Sequence, residues 1–170
     1  MKRNFVLAAA LAFTAMAISA SAQKTTDFSG TWTLEVAKSN PAETMIESQT
    51  MTVTQTAADI KVDRSTKVKP MPEGSAPNGG PGSGRGMGGP GGGGPQTYGL
   101  KDAVKVSRDT PNGPVELSFS AKIEGNKLTL TTTSPMGSRG ETWTLNADGT
   151  LTSESQGRNG SVTRTYTKKS

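Results

Sequence analysis

Residues 114–134 read PVELSFSAKIEGNKLTLTTTS, two alternating runs around Gly125-Asn126. Val115, Leu117, Phe119, Ala121 and Ile123 take every second position of the first run, with Glu116, Ser118, Ser120 and Lys122 between them. A period of two lines one face of a strand with apolar groups and leaves the other face to water. Gly125-Asn126 accepts the positive φ of a tight turn, and Leu128 and Leu130 resume the alternation at once. Two such runs joined by such a pair form a β-hairpin.

The same pattern extends in both directions. Downstream, 139–146 carries Trp143 and Leu145, 149–156 carries Leu151, and 161–168 sets Val162, Arg164 and Tyr166 against Thr163, Thr165 and Thr167. Upstream, 28–36 puts Phe28, Gly30, Trp32, Leu34 and Val36 on one face. The run 48–56 turns Met51 and Val53 inward, 59–69 turns Ile60 and Val62 inward, and 97–108 carries Val104 and Val106. Asn112-Gly113, Met136-Gly137, Asp148-Gly149 and Asn159-Gly160 mark further turns. The spacing predicts an all-β, antiparallel up-and-down meander of about nine strands, closed as a barrel or strongly curled. Outward positions hold Thr, Ser, Lys and Glu, which excludes an outer-membrane barrel with its apolar exterior. One helical turn is expected at 40–46, where Asn40-Pro41-Ala42-Glu43 offers an N-cap, Pro at the first helical position and an acid in the first turn.

Composition narrows the chemistry. The 170 residues include no Cys and no His. Disulfides, thiol nucleophiles, iron–sulfur clusters and Cys-type zinc sites are therefore excluded, as is the usual catalytic triad. No metal site and no cofactor are expected. Lys2 and Arg3, the apolar run Phe5–Ile18 and Ala20-Ser21-Ala22 stand in the order of a secretory signal peptide over 1–22. The apolar run is too short for a permanent bilayer span, so no stable membrane insertion is expected after cleavage. Removing two of the 19 basic residues leaves 17 against 14 acids, a net charge of +3. That balance does not point to nucleic acid as a partner. An exported chain, periplasmic or secreted, with a single domain over 23–170 is expected. Residues 70–95 hold 12 of the 21 Gly and 6 of the 10 Pro, and are read as a disordered loop within that domain.

Asp27-Phe28-Ser29-Gly30-Thr31-Trp32-Thr33-Leu34, followed by Lys38-Ser39, resembles the opening of lipocalin-like (calycin) proteins, especially small secreted bacterial ones of unknown role. Glu141-Thr142-Trp143-Thr144-Leu145 and Ala147-Asp148-Gly149-Thr150-Leu151 resemble them too. The resemblance implies that Gly30-Thr31-Trp32 opens the first strand, that Trp32 closes the barrel's bottom, and that Arg164 from the last strand lies over it. Gly30, Trp32 and Arg164 then have structural roles.

The resemblance also implies non-covalent binding of a small apolar or amphipathic molecule. Trp32, Met51, Val53, Ile60, Val62, Leu117, Phe119, Leu128, Leu130, Trp143 and Tyr166 are the interior residues that would line its site. The alternative is a structural or interaction module of the cell envelope without a pocket. A third reading rests on the threonine ladders of 50–56, 129–133 and 163–167, as a surface that orders water or binds saccharide. No enzyme activity is expected. Without His, acid–base work needs paired carboxylates, and Glu116 and Glu141 are read as solvated residues on the outward face.

Overall fold

The computed structural model describes residues 25–41, 45–70, 94–111, 113–157 and 160–169. The signal segment, the body of the Gly/Pro tract and the middle of the turn expected at 40–46 lie outside these residues. Ten strands are described: β1 (Gly30–Leu34), β2 (Ile46–Gln55), β3 (Asp59–Val68), β4 (Gln96–Gly99), β5 (Val104–Thr110), β6 (Gly113–Glu124), β7 (Lys127–Ser134), β8 (Gly137–Leu145), β9 (Leu151–Gly157) and β10 (Gly160–Lys168). Sequential strands pair antiparallel, except that β1 pairs with β10 and β4 turns away from β5. A parallel contact of Gly99 with Ser120 joins β4 to β6. It closes β4-β3-β2-β1-β10-β9-β8-β7-β6 into a nine-stranded barrel and leaves β5 as an extra strand on β6.

The expected strand 97–108 is thus two strands, and its break completes the barrel. At Gly99 the chain doubles back so tightly that a Cβ would strike the backbone carbonyl of Asp102. Only glycine, lacking that atom, permits the fold-back. The Leu100 N–H bonds to the Ala58 carbonyl at 2.8 Å, which holds β4 on β3. β5 then leaves on a separate path along β6, with Val104 half-buried and Val106 38% exposed. The hairpin turns whose residues are all described fall where they were expected. Gly125 (φ 59°) and Gly149 (φ 81°) occupy the left-handed region that the β6–β7 and β8–β9 connections require.

The segment before β1 closes the end of the barrel where the chain enters the sheet. Phe28 is fully buried, and its carbonyl accepts the Trp32 indole N–H at 3.0 Å. The Gln55 side chain ties this segment down: its Oε1 accepts the Phe28 N–H at 2.9 Å, and its Nε2 donates to the Thr26 carbonyl at 2.9 Å. The Thr26 hydroxyl reaches across to the Gly125 carbonyl at 2.6 Å. Near position 40, Asn40 is bridged to Thr163 through backbone bonds in both directions, and a short 3-10 turn precedes it at Val36–Lys38.

Trp32 is 1% exposed, and its indole is the largest side chain at the closed end. Trp32→Ala is expected to cost about 3–5 kcal/mol, as aromatic truncations in packed cores do. Urea denaturation measures it, and a loss below about 1 kcal/mol would remove Trp32 from the core.

Candidate functional site

The interior is graded along its axis. Toward the closed end it is apolar: Trp32, Val53, Ile60, Leu128 and Leu151 are buried there. Toward the other end lies a polar layer, and its centre is an ion pair. Arg64 of β3 donates from Nη2 to both carboxylate oxygens of Glu141 on β8, at 2.9 and 2.8 Å. Round the ring, β3 and β8 are separated by three strands on one side and four on the other. The pair therefore joins opposite walls across the barrel.

Glu141 was expected on the outward face and lies inside. It lies two positions before Trp143, so both side chains share one face of β8, and Trp143 is fully buried. The carboxylate also accepts the Trp143 indole N–H at 2.7 Å and the Ser153 hydroxyl at 2.7 Å. The Arg64 guanidinium stacks 5.5 Å from the Trp143 ring centroid. Beside this cluster the Tyr166 hydroxyl donates to Gln49 Oε1 at 2.8 Å, and Gln49 Nε2 donates to the Thr66 hydroxyl at 2.7 Å. Tyr98 packs edge-on against Phe119 with centroids 5.6 Å apart.

Burial alone would drive the Glu141 carboxyl upward, but Arg64, Ser153 and Trp143 together outweigh it and hold its pKa below the ordinary carboxylate value. Burial likewise works against the charge on Arg64, and Glu141 outweighs it, raising the guanidinium's pKa. For Tyr98, burial wins and the phenol is pushed up. The charged pair is thus the stable form, and solvent still reaches 23% of the Arg64 side chain and 20% of that of Glu141.

Of the residues expected to line the interior, Trp32, Met51, Val53, Ile60, Val62, Phe119, Leu128, Leu130, Trp143 and Tyr166 are buried. Leu117 is half-buried and packs against the core. Arg164 does not hold the place expected for it. The cation over the Trp32 indole is Lys168, with Nζ 5.4 Å from the ring centroid. Trp32 is in register with Lys168, whereas Arg164 lies four residues back and is in register with Ser153. Four residues of strand span about 13 Å, too far for contact with that indole. Gly30 makes room for the substitute, because a Cβ there would strike the Lys168 side chain.

A second feature lies in the wall. The β8–β9 ladder stops at Glu141↔Ser155, although β8 extends outward to Gly137 and β9 to Gly157. Between the splayed ends is a cleft of about 400 Å³, lined by Ser138, Arg139 and Gly140 of β8, by Glu154 and Gln156 of β9, and by Ser161 of β10, among others. Among the described residues no cluster of acids suited to a metal ion occurs.

No protein-family model matches the sequence, and no curated protein matches it. Solved structures do match the fold. A mutant of the fluorescent protein UnaG aligns with a TM-score of 0.50 and 12% identity over 84% of this chain and 96% of its own. The REP1-NXSQ fatty acid transporter (TM-score 0.49, 13% identity, 84% and 96%) and human cRBP IV (0.49, 13%, 85% and 99%) align over similar lengths. The chain has a calycin-type β-barrel fold.

Glu141→Gln keeps the shape of the side chain and removes its charge. It leaves Arg64 without a counter-ion in the interior and is expected to cost about 3 kcal/mol at neutral pH. Because the folded-state pKa of Glu141 is depressed, its stabilisation is full above the ordinary carboxylate range and is lost as pH falls through the folded value. The gap between wild type and variant should therefore shrink in acid. Denaturation at pH 7 and pH 3 tests this, and an unchanged gap refutes the assignment.

Proposed function

We propose that the protein is an exported, non-enzymatic barrel that binds a small apolar or amphipathic molecule non-covalently. The observation that carries this reading is the polar layer inside an otherwise apolar barrel. A buried ion pair is a poor way to stabilise a fold, because well-packed apolar side chains of similar volume do as well or better. Arg64 and Glu141 stay about a fifth exposed and are ringed by Ser153, Gln49, Thr66 and Tyr166. Apolar walls with a few convergent polar groups are the composition of small-molecule sites. The ordered run of Lys2, Arg3, Phe5–Ile18 and Ala20-Ser21-Ala22 supports export.

The second reading, a pocketless envelope module, is favoured by the length of that same ion pair. Side chains from opposite walls meeting at 2.8 Å occupy the barrel's cross-section at that level. Titration with the neutral fluorophore N-phenyl-1-naphthylamine separates the two. Saturable 1:1 uptake with a Kd on the order of 1 μM, quenching the two tryptophans, is expected for a binding barrel of this kind. An absence of uptake, together with a clean mass for the mature chain under native conditions, assigns the protein to the module instead.

A further inference from the structure

We propose that the cleft between the splayed ends of β8 and β9 is a head-group subsite, and that the head it takes is uncharged and rich in hydroxyls, a glycosyl or polyol group whose apolar tail enters the barrel. This rests on the binding reading above. The first support is position. The ladder opens immediately beyond Glu141↔Ser155, so the root of the cleft adjoins the carboxylate that crosses the interior. Alternation on β8 and β9 places Ser138, Gly140, Glu154 and Gln156 on the outward face, and Arg139 and Ser155 on the inward face with Glu141 and Ser153. Residues of both faces line the same cavity, so the cleft reaches the inner edge of the wall beside Glu141.

The second support is the absence of an obstruction. At Gly140 a Cβ would meet nothing nearer than the Leu130 carbonyl oxygen at 4.0 Å. A volume of about 400 Å³ lies within the range of small-molecule sites.

The third support is the chemistry of the lining. It carries one charge of each sign, Arg139 and Glu154, among Ser138, Thr142, Ser155, Gln156 and Ser161. Such a surface sets up no net field for an ion, and it offers donors and acceptors at many points. Below it, the Arg64 charge is already matched by Glu141, and Arg164 is also engaged. An anionic head would meet two carboxylates, Glu141 at the root of the cleft and Glu154 in its lining, with Arg139 as the one lining cation to set against them. A hydroxylated head can hydrogen-bond throughout the lining with no charge to desolvate.

The test is displacement of bound N-phenyl-1-naphthylamine by three ligands of equal chain length, all below their micellar concentrations: octyl glucoside, octanoate and octyltrimethylammonium. The glucoside is expected to displace the probe at a concentration at least about tenfold lower than either ion, as for a site built to hydrogen-bond its ligand. Gly140→Phe, which covers the cleft from a position with room for it, is expected to lower the ratio of glucoside to probe affinity by a similar factor. Ser161→Phe approaches from the opposite bank and repeats the test should Gly140→Phe fail to fold. Thr52→Phe, on the outward face of β2 away from the cleft, should leave the ratio as it was. Octanoate or the ammonium ion matching the glucoside overturns the proposal, as does a preference that survives both cleft variants. If wild type takes up no probe, the binding reading itself fails, an outcome distinct from either of these.

Discussion

The Arg64–Glu141 pair is the constraint around which the barrel is organised. It is the point where two opposite walls touch through charged groups, and each partner would be very costly inside the barrel alone. Everything adjacent serves to make the charges tolerable. Ser153 and the Trp143 indole both donate to Oε1 of the carboxylate, and the Trp143 face lies under the guanidinium. The Trp143 side chain thus acts twice, donating from its edge to the anion and presenting its face to the cation. Moving β3 relative to β8 breaks several bonds at once, so the pair also fixes the register of walls that share no ladder.

The closed end solves a different problem by a related device. A nine-stranded ring leaves an opening at each end, and apolar side chains at the lower one need cover. Phe28 and Trp32 supply bulk, Gln55 satisfies the backbone of the segment crossing the opening, and Lys168 lies over the indole. A lysine stem can lie along apolar surface while its ammonium stays in water. The ends are therefore asymmetric. The lower is sealed by apolar bulk under one solvated cation, and the upper half holds a charged pair in the interior and a split in the wall.

Alternation made most of the barrel legible in the sequence. Phe119, Leu128, Leu130, Tyr166, Met51 and Ile60 fall on the buried face because a strand offers only two sides, and their neighbours state which is wet. The turns were legible because few residue pairs accept positive φ. Three features were not read. The break at Gly99 depends on a carbonyl three residues ahead, which no local pattern announces. Lys168 in place of Arg164 depends on how far β10 slides against β1, and alternation fixes faces without fixing register. Glu141 is different, because the signal was present. Counting two residues back from Trp143 puts it inside, and the preference of carboxylates for water had pointed the other way. A charge at an inward position is evidence of a partner, and here the partner came from the opposite wall.

That last point bears on what the interior is for. An apolar barrel can be packed solid by its own side chains, and stability alone does not call for a carboxylate at its centre. The pair occupies the level at which the β8–β9 ladder ends, and the same strand that carries Glu141 forms one bank of the split. Continuing the ladder by two more pairs would bring Gly140 opposite Gln156 and Arg139 opposite Gly157 and shut the wall. The chain instead ends the pairing at the carboxylate, and the strands on either side stay paired to β7 and β10. Strands that part in this way leave backbone donors and acceptors directed at solvent. Those groups are best satisfied by water or by a ligand that can replace water's hydrogen bonds. Under the binding reading proposed above, the charge within and the gap beside it share one explanation: a polar route from the surface toward the barrel's interior.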